Sequence, residues 1–281
     1  MNAFNGDFNL LQLILGLALA LVISLAAYLA RSLDRSGALA AGALGTAIFG
    51  LGGFPWAALL LGFFISSSLL SRLFKRRKSA VEEKFSKGSR RDAGQVLANG
   101  GIAGVLVIVQ AVIPGSPWPW IAAAAALAAA NADTWATELG VLSPSQPRLI
   151  TNGQKVEMGT SGAITPLGTL AALGGALLIG ATAAVFWPSY AALPGLAVFP
   201  AGLLVVTLAG LLGSLVDSLL GATVQAIYTC PACQKETERY PLHVCGAATT
   251  RLRGLPWLNN DWVNAACTIS AGLIAVLVTL L

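Results

Sequence analysis

The stretch WPWIAAAAALAAANADTWATELG, Trp118–Gly140, decides how this chain folds. Residues 118–130 are apolar throughout, and together with residues 131–140 they are long enough to cross a hydrocarbon core of about 30 Å as a helix. After Pro119, at the start of the run, no Gly or Pro intervenes before Asn131, Asp133, Thr134, Thr137 and Glu138 appear. At about 100° per residue, with Asn131 at zero, Asp133 falls near 200°, Thr137 near 240°, Thr134 near 300° and Glu138 near 340°. The polar groups share one arc and Trp135 and Ala136 fill the rest. An ionisable group inside a span is costly and marks a pathway or a site.

The rest of the chain agrees with a membrane setting. Of 281 residues 56% are hydrophobic and 10% charged, against about 25% charged in a soluble domain. The mean hydropathy is +0.75. A water-soluble globule is excluded, and four cysteines are too few for a disulfide scaffold. Apolar stretches at about 9–30, 37–54, 56–74, 93–113, 118–139, 163–187, 195–227 and 261–281 predict an all-α polytopic integral membrane protein. It has about eight transmembrane helices in a single domain over 1–281. The first stretch reads as a span and not a secretory signal, because no cation precedes it and it is too long. All 17 Lys and Arg fall after the first, third, fifth and seventh spans; the opposite loops have none. By the positive-inside rule, the basic loop 75–92, the Gly-rich loop 140–162 and the Cys/His loop 228–260 face the cytoplasm, leaving both termini outside. Trp118, Trp120, Trp187 and Tyr190 at the uncharged ends fit an interfacial belt. The run Lys75–Lys78 reads as a topology signal in contact with anionic membrane lipids, and no nucleic-acid partner is expected. The expected location is a prokaryotic plasma membrane or an organelle membrane.

The seventh span carries a second polar stripe. Ser214, Asp217, Ser218, Gly221 and Gln225 recur at helical spacing, again in the cytoplasmic half. Small and polar residues alone would serve as helix–helix glue. Three carboxylates without an intramembrane Lys or Arg point instead to a divalent cation, and hard oxygen donors suit Mg²⁺. The loops supply what a phosphate needs. Lys87, Arg90 and Arg91 lead into the fourth span, where Asp92, Gln95 and Asn99 share a face. Gly159, Thr160, Ser161 and Gly162 open the sixth span, and a helix start of this kind binds anions. Ser66–Ser68, Ser71 and Arg72 end the third span, and Asn259–Asn264 open the eighth.

Cys230, Cys233, His243 and Cys245 complete a Cys₃His set, which predicts a closed, structural zinc site on a reducing face. Cys267 reads as packing. The similar stretches Ser36-Gly37-Ala38 and Ser161-Gly162-Ala163 raise a parallel repeat of four plus four spans, with a pseudo-twofold along the membrane normal.

These strings resemble a known family. Lys87 through Gly100, Asn131 through Gly140, Pro147-Arg148-Leu149-Ile150-Thr151 and Gly159–Gly162 are similar to the membrane family of plant phytyl-phosphate kinases and their bacterial, archaeal and animal relatives. The Asp217 stripe, the Cys230–Cys245 loop and Asn260-Asp261 resemble its C-terminal half. Ala163 stands where a second Gly is expected. The resemblance implies transfer of a phosphoryl group from a nucleoside triphosphate to an isoprenyl monophosphate. The expected roles are Mg²⁺ on Asp133 and Asp217, with Glu138 ligating or orienting and Asp92 on a second ion. Lys87, Arg90, Arg91 and Arg148 would face nucleotide phosphates, the Gly159–Gly162 turn would hold one phosphate, and Gln95, Asn99 and Asn131 would orient these groups. Nucleotidyl transfer to a lipid phosphate and a non-enzymatic polyprenyl-phosphate carrier remain open alternatives.

Overall fold

The computed structural model describes residues 10–74, 84–88, 90–188 and 198–280. The Lys75–Lys78 run and Tyr190 lie outside the described residues. Among the described residues seven helices make up the bundle: α1 (Leu10–Leu29), α2 (Arg35–Leu73), α3 (Ala93–Val112), α4 (Trp118–Gly140), α5 (Pro166–Val185), α6 (Val198–Thr223) and α7 (Asn260–Leu280). Of these, α1, α2, α3, α5, α6 and α7 are long and apolar enough to cross a membrane.

The 39-residue α2 is two arms. Gly53 leaves helical geometry at φ 69°, ψ −163°. At the far end Arg72 Nη2 donates to Ala30 O at 2.6 Å and to Ser32 Oγ at 2.8 Å. A straight helix would hold those ends about 58 Å apart, so the arms 35–52 and 54–73 run antiparallel and provide the second and third expected spans. The first arm starts where the Asp34 carboxylate accepts the Gly37 N–H at 2.7 Å, an N-cap.

Helix α4 is the axis of the bundle. Pro119 through Ala132 are buried without interruption, and α2, α3, α5, α6 and α7 all pack on it. Its alanines permit this enclosure, since small side chains let neighbouring backbones approach. A Cβ at Gly210 would sit 2.6 Å from the Ala128 methyl, and one at Gly213 would sit 2.8 Å from that of Ala129. Helix α1, by contrast, packs on α2, burying Gly16, Ala20, Ser24 and Ala27 and turning its leucines outward. As the first helices of the two expected halves, α1 and α4 occupy unlike positions, one peripheral and one central. The fold therefore does not place them in the equivalent positions that a four-plus-four repeat requires.

Two span ends differ from expectation. The sixth apolar stretch opens with a strand: β1 (Arg148–Leu149) pairs antiparallel with β2 (Ala163–Ile164), and α5 begins only after the Thr165 N-cap. The seventh stops at Thr223. Val224 and Gln225 amides both close on Leu220 O, and the chain turns into β3 (Ile227–Cys230). This strand is central in an antiparallel sheet with β4 (Lys235–Thr237) and β5 (Thr250–Arg253).

The two ends of the bundle are chemically distinct. One end, at the Gly53 bend, carries an edge-on aromatic cluster of Trp56, Trp120 and Trp187, with Phe54 on Phe186. The other end gathers the cation-bearing loops, tied together by Asp34 N–H to Arg91 O at 3.0 Å, Lys84 to Glu157 at 2.8 Å, and Arg253 to Gly221 O at 2.8 Å.

Candidate functional site

At the charged end a cavity of about 260 Å³ opens between the helix ends and the loops. Helix α4 contributes Asp133, Thr134, Thr137 and Glu138, and α6 contributes Ser214, Asp217 and Ser218. Gln95 and Asn99 come from α3. Lys87 and Arg91 come from the loop before it, and Asn260 and Asn264 from α7. The turn Gly159, Thr160, Ser161, Gly162 closes one side and Glu238, from the loop after β4, another. Stripes read separately on two helices thus meet in one space.

Two of the carboxylates on α4 and α6 have different surroundings. Glu138 accepts from Ser71 Oγ at 2.8 Å and feels the charge of Arg91. The Arg91 guanidinium stands 5.2 Å over the Phe63 ring. Burial pushes its pKa down to about 10, and Glu138 opposes that shift. The cation near Glu138 thus comes from the loop before α3 and not from within a span. The backbone brings Arg91 inward: Arg91 N donates to Ser32 O at 2.9 Å, and Gly37 packs so closely that a Cβ there would lie 2.2 Å from Arg91 O. Asp217 has a different neighbourhood. Its Oδ2 is fully buried and has no hydrogen-bond partner among the described residues, while the charges of Asp133 and Glu238 act on it. A buried carboxylate oxygen in this condition is costly unless a cation or a proton meets it. Asp133, Asp217 and Glu238 bring hard oxygen donors, the type a divalent ion prefers, to the same cavity.

Lys87 is bound by two carboxylates. Its Nζ pairs with Asp92 at 2.7 Å and with Asp261 more closely still. Burial alone would draw its pKa down, but the hydrogen bonds to Asp261 and Asp92 outweigh it and the net shift is upward. The lysine ties the starts of α3 and α7 together while lining the cavity. Asp92 is also the N-cap of α3, accepting Gln95 N–H at 2.9 Å in a capping box that Gln95 Oε1 completes. Asn99 Nδ2 donates to Gln95 O at 2.9 Å.

Four of the expected site residues do not line the cavity. Asn131 is fully buried, accepts from Ser66 and Ser67 hydroxyls at 2.9 and 3.0 Å and donates to Gly175 O at 2.8 Å. Those bonds join the second arm of α2 to α4 and α5. Asp92 serves as the α3 cap. Arg90 is exposed, and Arg148 Nη1 is directed to Gly153 O at 2.8 Å. The Gly159–Gly162 turn lines the cavity but is not a helix start, which corrects its expected geometry. The Thr160 and Ala163 amides close on Glu157 O and Thr160 O, and Gly162, at φ +79°, lies against Ala222.

Sequence reasoning missed Glu238 and the bonds that join it to Ser161 and Gln225. Ser161 Oγ donates to Gln225 Oε1 at 2.7 Å, and Gln225 Nε2 in turn donates to Glu238 Oε1 at 2.9 Å. Arg253, drawn below its ordinary pKa by burial, caps the end of α6. The acidic pair Glu236 and Glu238 between the two cysteine–histidine segments was the available signal. A second cavity, about 270 Å³, adjoins the first. It is lined by Ala30, Arg31, Ser32, Ser68, Ser71, Arg72 and Arg91, and Ser71 and Arg91 line both spaces.

The donor atoms of Cys230, Cys233, His243 and Cys245 lie within 4.8 Å of one another. The hydrogen bond from His243 draws the Cys245 thiol down to about 6.

Comparison with known proteins supplies the family. The chain is 37% identical over 272 residues to Protein PGR of Arabidopsis thaliana, covering 90% of this chain and 91% of that protein. It is 34% identical over 270 residues to an uncharacterised membrane protein of Methanocaldococcus jannaschii, covering 96% and 95%. It is 27% identical over 236 residues to another from Synechocystis, covering 80% and 77%. No solved structure matches. Residues 18–272 match the integral membrane protein family DUF92, and the chain belongs to that family.

Proposed function

We propose that this protein is a membrane-embedded phosphotransferase. It moves the terminal phosphoryl group of a nucleoside triphosphate to an isoprenyl monophosphate of phytyl type, giving the diphosphate, at the cytoplasmic face. The observation that carries this reading is the joining of Asp133, Asp217 and Glu238, which have an orphaned carboxylate oxygen among them, with half-buried Arg91 in one membrane-end cavity. Asp133 and Asp217 would hold Mg²⁺, which when bound offsets charge on the phosphate oxygens. Glu138, which accepts from Ser71 and feels the charge of Arg91, would ligate the ion or orient its neighbours. Arg91 stabilises charge on the transferring group, and Lys87 holds the α3 and α7 ends in register around it.

The adjoining cavity suits the acceptor. Arg31, Arg72 and Arg91, with the Ser32, Ser68 and Ser71 hydroxyls, form a lining without a carboxylate, and the exposed apolar residues Leu29, Leu69 and Leu73 flank it. A lipid phosphate there keeps its tail in the hydrocarbon and presents an oxygen across Arg91 to the triphosphate. With a second pKa near 6, a phosphate monoester is largely dianionic at neutral pH, so no side-chain base is required. The acceptor oxygen bonds to the γ-phosphorus, the bond to the β–γ bridging oxygen breaks, and nucleoside diphosphate leaves.

The test is to reconstitute purified protein in nanodiscs with labelled nucleoside triphosphates, Mg²⁺ and prenyl monophosphates. Prenyl diphosphate and nucleoside diphosphate are the expected products. A nucleotide–lipid conjugate with pyrophosphate would replace this reading with nucleotidyl transfer, and no product with any nucleotide would end it.

A further inference from the structure

The four cysteine and histidine side chains take no part in the proposed phosphotransfer, yet they are gathered around a centre. Strand β3 delivers Cys230, and a turn closed by Gln234 N–H to Cys230 O at 2.8 Å, with Gln234 at φ 54°, brings Cys233 back beside it. A second turn, closed by Gly246 N–H to His243 O at 2.9 Å and by Gly246 at φ 83°, presents His243 and Cys245. The two turns face each other. Cys230 Sγ lies 3.5 Å from Cys245 Sγ, and His243 Nδ1 lies 3.2 Å from that same sulfur. Tetrahedral zinc with bonds of about 2.3 Å to sulfur and 2.0–2.1 Å to nitrogen needs edges of about 3.8 Å between sulfurs and 3.6 Å between sulfur and nitrogen. The cluster already has that size. Cys230 and His243 are buried, and four protein donors leave no position open for a substrate.

What surrounds the cluster gives it a role. The sheet it closes has strands of only three or four residues, too short to hold themselves without a staple. The residue just after β4 is Glu238, whose side chain lines the carboxylate-bearing cavity. Its amide donates to Lys84 O at 2.8 Å and its carboxylate accepts from Ser86 N at 3.3 Å. One short segment thus supplies a cavity carboxylate and anchors the loop that carries Lys87.

We propose that Cys230, Cys233, His243 and Cys245 bind one Zn²⁺, and that this zinc staples a wall of the cavity, positioning Glu238 and the Lys84–Gly88 loop. The zinc site stands on its donors alone and is independent of the reaction proposed above.

The test uses the full chain purified in detergent. Metal analysis after dialysis against zinc-free buffer is expected to find one zinc per chain. Cys233→Ser and Cys245→Ser lose it, and Cys267→Ser, deep in α7, keeps it. Cobalt exchanged into the wild-type protein shows the visible bands of a tetrahedral thiolate site. This spectrum and the wild-type zinc content decide the matter even if the cysteine variants fail to fold. Monodisperse wild-type protein free of zinc, or zinc retained by both variants, overturns the site. Stripping the zinc should raise hydrogen exchange both in 228–250 and in 84–88. A rise confined to 228–250 refutes the positioning role while leaving the site.

Discussion

Asn131 and Asp133 stand two residues apart on α4, and the structure gives them opposite kinds of work. Asn131→Ala removes three buried hydrogen bonds, of 2.9, 3.0 and 2.8 Å, between α4 and its neighbours on α2 and α5. Side-chain hydrogen bonds between membrane helices average about 0.6 kcal/mol each, so the loss is about 2 kcal/mol. At roughly 2–3 °C per kcal/mol for a chain of this size, the melting temperature should fall by about 5 °C. Phosphotransfer per folded molecule should change little, because Asn131 does not line the cavity. Asp133→Asn is the converse. It relieves repulsion with Asp217, so the melting temperature should hold or rise while turnover is lost. Tryptophan-fluorescence melts in detergent, paired with product analysis in nanodiscs, measure both. The division of labour is refuted if Asn131→Ala abolishes turnover without lowering the melting temperature, or if Asp133→Asn remains active.

Three further outcomes rest on local geometry. Gly37→Ala drives a methyl to 2.2 Å from Arg91 O, so both stability and turnover should fall, the first by about 1–3 kcal/mol of overpacking, read from the melting temperature. Lys87→Met leaves Asp92 and Asp261 facing each other unneutralised, so it should destabilise more than Asp261→Asn, which keeps one pair; the two melting temperatures give the order. Hydrogen bonding by the Gly37 amide and the Ser36 hydroxyl holds the Asp34 carboxyl below its ordinary 3.8. A depressed pKa contributes stability above 3.8 that is lost as pH falls through the lowered value. Wild type should therefore lose stability below about pH 4 that Asp34→Asn, an equally good cap, does not lose on that account; melts across that range decide it.

The polar stripes on α4 and α6 were legible because scarce charge in an apolar chain stands out, and helical spacing then put Asp133, Glu138 and Asp217 on inward faces. The two arms of α2 were legible for a similar reason, since Gly50–Pro55 interrupts the apolar run. The end of α6 was not. Ala226, Ile227 and Tyr228 resume the apolar composition after Gln225, yet Ile227 and Tyr228 open a buried strand, and short apolar runs do not distinguish strand from helix. Nor could Arg91 be seen as a partner of Glu138. That neighbourhood depends on Gly37 admitting the Arg91 backbone from a segment more than fifty residues away. Ser36-Gly37 looked like half of a repeat, whereas its glycine serves a long-range contact. Asp92 was read as a metal ligand and Lys87 as a phosphate contact; their cap and ion-pair roles depend on partners such as Asp261 that only tertiary placement brings near.

The alanine-lined axis also limits how this molecule can move. Gly210 against Ala128, Gly213 against Ala129 and Gly272 against Ala122 are seams where backbones nearly touch, and they run past the middle of α4. Carrying a substrate from one leaflet to the other would require these surfaces to slide or part, with no long side chains to take up the gap. The loops at the charged end are under no such constraint. The bundle is suited to act as a fixed platform on which substrates arrive and leave by one side, with motion confined to the segments that cover it.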